Sequence, residues 1–273
     1  MSQEESTGNA KENKAAVGIV IALALLIPAA LVPVVGIPLQ FTKVLIAALG
    51  TIALVSVYVA SALRKRTLAV SWSPMLVGLV LLPIAYAVAA LFSTHPASSF
   101  FGYELDQDTF GFVLVACALA LATFWSVKTP KGVFSALFAL LLGGWLVLVF
   151  QSIQVFLNAP LPFPAIDSPV VNLIGKWNDF ALFAGLLVSL ALVALESIAL
   201  PVLRAAALYA TVVVSLFFLA LVNFTLAWVV VGIFAFVVFI FALTRRPAPG
   251  GESVPRQPLP NAALPAATLL VAL

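Results

Sequence analysis

The chain has 273 residues, 64% of them hydrophobic and only 8% charged, against about 25% charged in an ordinary soluble domain. A water-soluble fold of this length cannot hide so much apolar surface, because its exterior must still meet water. The net charge of +3 does not point to nucleic acid: the basic residues sit in short runs between apolar segments, the pattern that encodes membrane topology.

Residues 1–14 are polar and mixed in charge and read as a short cytoplasmic tail. Eight apolar segments follow, at 15–35, 44–63, 74–91, 110–125, 133–157, 180–200, 205–222 and 226–243. Each is expected to be helical, because lipid offers no partner to an unpaired backbone group. About 20 apolar residues cover a hydrocarbon core of about 30 Å. The stretch 205–243 would reach about 58 Å as one helix, so it is divided at Asn223-Phe-Thr225. The first segment is too long for a signal-peptide core and lacks a small-residue cleavage site, so it should stay as a signal anchor.

Placing the amino terminus inside puts Lys11, Lys14, Arg64, Lys65, Arg66, Lys128, Lys131, Arg204, Arg245, Arg246 and Arg256 in the cytoplasm. Only Lys43 and Lys176 are then outside, a strong positive-inside bias. Residues 244–261 are rich in Pro and Gly and read as a cytoplasmic linker. Residues 262–273 turn apolar again, too few to span, and read as the start of a truncated ninth helix. The expected architecture is all-α: a polytopic transmembrane helix bundle over 15–243, present as the amino-terminal part of a longer protein.

The span interiors carry almost no polar residues, and Glu196 lies near the cytoplasmic end of its helix, within reach of the interface or Arg204. No chain of Asp, Glu or His crosses the bilayer, as a proton relay would require. Cys117 is the only cysteine, which rules out an intrachain disulfide and a cysteine metal cluster. Polarity concentrates in two outer loops. The first, 93–108, holds the only histidine, His95, and the alternating acids Glu104, Asp106 and Asp108. Close carboxylates suit hard divalent ions, but the spacing is not that of a calcium loop, and a solvated loop is the simpler reading. The second, 158–179, carries Pro160, Pro162, Pro164 and Pro169 and is expected to run extended along the surface. It ends in Lys176, Trp177, Asn178 and Asp179. Trp177 suits a membrane interface, and Asn178 or Asp179 can cap the next helix. The sharper reading has Lys176, Asn178 and the helix start meeting an anionic group.

Three stretches carry a resemblance: Leu91-Phe-Ser-Thr-His-Pro-Ala-Ser-Ser-Phe-Phe-Gly102, Ile174-Gly-Lys-Trp-Asn-Asp-Phe-Ala-Leu-Phe183 and Leu221-Val-Asn-Phe-Thr-Leu-Ala-Trp228. Together they resemble the amino-terminal half of the O-antigen ligase and polymerase-like membrane proteins. That family often shows Ser-x-x-Pro-x-x-Ser-x-x-Gly after the third span, a Gly-x-x-x-Asn-x-x-x-x-Ala-like helix opening, and a Ser-Arg-x-x-Trp-like turn. The resemblance implies a glycan transferase of the bacterial cytoplasmic membrane, with no cofactor, acting on a polyprenyl-diphosphate-linked glycan at the outer face. Its implied substrate contacts here are His95, Lys176, Asn178, Asp179 and Asn223; no catalytic residue is assigned. The departure from the pattern matters. Thr225 stands where relatives place a basic residue, and the outer face has no arginine to grip a diphosphate bidentately. The missing cations are expected beyond residue 273, or the activity has changed. A transporter or flippase component, or a non-catalytic membrane scaffold, is the alternative.

Overall fold

A computed structural model describes residues 3–30, 39–66, 73–102, 109–157, 172–198, 200–244 and 263–272. Among these residues the chain is helical throughout, in ten helices: α1 Gln3–Ala29, α2 Leu39–Lys65, α3 Pro74–Leu91, α4 Pro96–Phe101, α5 Phe110–Ser126, α6 Pro130–Leu157, α7 Trp177–Ser197, α8 Val202–Val222, α9 Thr225–Thr244 and α10 Ala263–Ala272. Eight apolar helices fall on the eight expected segments. Six are long and apolar enough to cross a membrane: Phe41–Arg64, Pro74–Leu91, Pro130–Leu157, Trp177–Ser197, Val202–Val222 and Thr225–Thr244. The apolar helices Lys14–Ala29 and Phe110–Ser126 are shorter. Large apolar side chains stand wide open on these helices and their ends, among them Met75 (85% exposed), Phe92 (87%) and Val202 (87%). Only a lipid environment tolerates apolar surface on this scale, so the chain is a multi-pass membrane protein.

Two expectations shift. Helix α1 starts at Gln3, inside the stretch read as a tail. The Glu, Lys, Gln and Ala residues there are good helix formers and simply extend the apolar helix behind them. The first outer loop also contains a helix, α4. Pro96 pre-sets the backbone at its first position, and the Ser99 hydroxyl donates to the Ser93 hydroxyl at 2.8 Å. Gly102, at φ 61°, ends it in a conformation that side chains with a Cβ avoid. The Ser-x-x-Pro-x-x-Ser-x-x-Gly pattern therefore has a local structural cause in this chain. The acids Glu104, Asp106 and Asp108, the prolines of 158–171 and the linker 245–262 lie outside the described residues.

The chain divides into two compact units, with the cut falling inside α6 at Gly143–Gly144. In the first, α1 packs on α2, α2 and α3 pack on α5, and α4 sits against α3 and α5. Its core joins Ala16, Val20 and Leu23 of α1 to Leu54 of α2, Ala122 of α5 and Val127. Helix α3 hardly takes part: 11% of its span is buried, and Ser73 caps it by accepting the Leu76 N–H. The Lys43 ammonium donates to the Pro28 carbonyl at 3.2 Å, the usual way a lysine satisfies a free carbonyl at a helix C-terminus.

In the second unit α7 is the centre. Half of its span is buried, and it packs against both α8 and α9, while α10 lies on α9. The small residues Ala181, Ala184, Gly185 and Ala191 line its buried face, letting helix backbones approach closely where no hydrophobic force drives association. A Cβ on Gly185 would stand 2.9 Å from a Val231 methyl of α9. Asn223 divides α8 from α9 by taking up φ 52°, ψ 46°, a left-handed helix end that Asn adopts more readily than other side chains.

Candidate functional site

The second unit gathers polar side chains at one end. There the turn 172–176 leads into α7, close to the last turns of α6 and α8. The turn is built on Asn172, which is buried. Its Oδ1 accepts the N–H groups of Ile174 at 2.9 Å and Gly175 at 3.0 Å, and its Nδ2 donates to the Lys176 carbonyl at 3.4 Å. Gly175 supplies the positive φ the turn needs, 147°. Asp179 then accepts the Lys176 N–H at 3.1 Å, so its carboxylate holds a free donor at the helix start and complements the positive end of the dipole.

These bonds sort the expected contact residues. Asp179 is a cap, the reading already open from the sequence. Lys176 and Asn178 are exposed, and among the described residues neither side chain has a hydrogen bond. Asn223 is also exposed and contributes its backbone as the end of α8. Phe180 of α7 meets Phe218 of α8 edge to face at 5.3 Å. Lys176 lies four residues before Phe180 and Asn223 five after Phe218, so both project beyond this contact at the same end, by roughly one to one and a half turns. His95 lies in the first unit, exposed, just before α4. No three His, Cys, Asp or Glu among the described residues come together as a metal site.

Aromatic rings tie this end together. Trp177 stacks on Phe180 at 5.9 Å, Phe218 meets Phe217 at 5.4 Å, and Phe217 stacks on Phe156 of α6 at 5.7 Å. Phe180 and Phe218 are fully buried. Offset and edge-to-face pairs of this kind are each worth about 0.5–1.5 kcal/mol beyond their area. The result is a fixed aromatic layer under a polar rim.

Below that layer the structure departs from the expectation of nearly apolar span interiors. Gln151 and Gln154 of α6, Thr211 and Ser215 of α8 and Ser189 of α7 are all buried. The Trp145 indole N–H donates to Thr211 Oγ1 at 2.8 Å, and Thr211 in turn donates to the Ala207 carbonyl. Along α8, Ser215 lies between Thr211 and Phe217; along α6, Gln151 lies between their partners Trp145 and Phe156. Among the described residues the Ser215 hydroxyl has no hydrogen-bond partner. Elsewhere Thr51, Ser56, Ser152, Ser189, Thr244 and Thr268 each bond the carbonyl four residues back, and Ser215 does not. The signal for Gln151 and Gln154 was present in the sequence, since with Gly144, Val147 and Leu148 they recur at helical spacing along one stripe of α6.

This end of the unit can bind a hydroxyl- or amide-rich group and present one ammonium, Lys176, to an anion. Among the described residues its rim has no second cation beside it, so it is not by itself a diphosphate clamp. Compared with protein-family models, with curated proteins and with solved structures, the chain matches none.

Proposed function

We propose that this chain is an O-antigen ligase-like protein of the bacterial cytoplasmic membrane, crossing it eight times with its amino terminus inside. In this reading the polar end of the second unit faces outward and handles a glycan carried on a polyprenyl diphosphate. The observation that carries the reading is the convergence of Lys176, Asn178 and Asn223 at one end of α7 and α8, on two of the stretches that bear the resemblance. The asymmetry of basic residues supports the orientation. The family's chemistry needs cations against the diphosphate and a base for the acceptor hydroxyl. Lys176 contributes to the first, and no described residue of this end is suited to the second. The role assigned to these residues is therefore retention and orientation of the lipid-linked glycan.

The test is genetic and chemical. A strain lacking the gene should fail to move glycan onto its lipid or protein acceptor, and the full-length gene should restore transfer. Unchanged transfer in the deletion strain contradicts the proposal. The buried polar groups Gln151, Gln154 and Ser215 favour a second reading, a flippase component that binds a polar group between helices. Proteoliposomes holding a fluorescent lipid-linked sugar separate the two, because only a flippase moves the label across the bilayer without any acceptor.

A further inference from the structure

We infer that the indole of Trp177, on the side away from Phe180, is a stacking platform for a neutral pyranose ring. The inference deepens the glycan-handling reading and rests on it for the kind of molecule that reaches the site.

Trp177 is half-buried at the first position of α7. One face of its indole is covered by Phe180, with ring centroids 5.9 Å apart and planes 27° from parallel. Phe180 is itself fully buried and locked edge to face against Phe218. The indole is thus backed by a rigid stack, and among the described residues no second aromatic ring stacks on it. Among the described residues its N–H has no acceptor, whereas the N–H of Trp145 is given to Thr211. Its sequence neighbours Lys176 and Asn178 are exposed, and the exposed Asn223 lies at the same end of the unit. Among the described residues none of these three side chains makes a hydrogen bond, while Asp179 is committed to its cap.

An aromatic face is the negative end of a quadrupole. It attracts the weakly positive C–H groups that line one side of a pyranose ring, while the ring's hydroxyls need donors and acceptors at the edge. Two carboxamides supply both. A free anion would find one ammonium here. A hydrocarbon tail would leave the polar rim unpaired. A neutral sugar offers C–H groups to the indole and hydroxyls to the carboxamides. Pre-ordering by Phe180 and Phe218 also means that little side-chain freedom is lost on binding.

The test uses the full-length chain in lipid nanodiscs and two probes: a short polyprenyl diphosphate bearing N-acetylglucosamine, and the same polyprenyl diphosphate without sugar. Titration calorimetry on the wild type should show the sugar-bearing probe binding about tenfold tighter, the size expected of one good stack. Trp177→Leu should abolish that preference and leave the affinity for the bare diphosphate unchanged. Trp177→Phe should keep part of it. Asn223→Gly removes the carboxamide but keeps the left-handed helix end, and should reduce the preference; circular dichroism checks that each variant keeps its helix content. The inference is overturned if Trp177→Leu discriminates as the wild type does, or weakens both probes equally, as loss of a simple membrane anchor would. It is also overturned if the wild type shows no preference for the sugar. A retained preference beside unchanged glycan transfer in the deletion strain would instead remove the ligase reading and leave the platform standing.

Discussion

Thr211 and Ser215 sit one turn apart on the same face of α8, and the structure gives them opposite energetic roles. Thr211 joins two helices through the Trp145 indole. Interhelical hydrogen bonds in membranes average about 0.6 kcal/mol and reach about 1.7. Thr211→Val keeps the shape and removes the acceptor, so it should lower stability by about 1 kcal/mol in a reversible unfolding titration in bicelles. Ser215→Ala removes a buried hydroxyl that has no partner among the described residues, and should leave stability unchanged or slightly raised. A loss at Ser215 as large as that at Thr211 would mean that its hydroxyl is engaged. Neither role was legible in the sequence. Both residues read as ordinary small polar positions in an apolar helix, and only the neighbour across the seam separates them. Asp179 was legible as a capping residue, although the sequence placed it before a helix starting at 180 and the structure places it at the third position of one starting at Trp177. Asp179→Ala should cost about 1 kcal/mol, measured the same way, whereas Asn178→Ala, at an exposed position, should not register.

At the level of helices, apolar runs marked the nine apolar helices among the described residues, and the break at Asn223 followed from length alone. Hydropathy could not show α4, whose six residues are set by Ser93, Pro96, Ser99 and Gly102 rather than by an apolar run. Nor could it rank the helices, since α3 and α7 are alike in hydropathy but differ greatly in burial. The glycine pair of α6 sharpens the point. A Cβ on Gly143 would lie 2.8 Å from the backbone carbonyl oxygen of Leu25 in α1, and a backbone atom cannot step aside. A Cβ on Gly144 would meet the methyl groups of Leu187 in α7, which can rotate away. Gly143→Ala should therefore cost about 1–3 kcal/mol by overpacking, and Gly144→Ala distinctly less. Equal losses in thermal unfolding of the two purified variants would contradict this account of α6.

For the whole molecule, the proposed function depends on the orientation that the basic residues indicate, with His95, Lys176 and Asn223 outside and the basic runs inside. The chain is well suited to a direct measurement, because its single native cysteine, Cys117, is buried and gives little background. Single cysteines at His95, Lys176 and Asn223, and at Lys128 and Arg204, can be probed in intact cells with a membrane-impermeant maleimide. The account predicts that the first three react in intact cells and the last two only after the membrane is opened. Labelling of Lys128 or Arg204 in intact cells, or protection of Lys176 and Asn223, would contradict it.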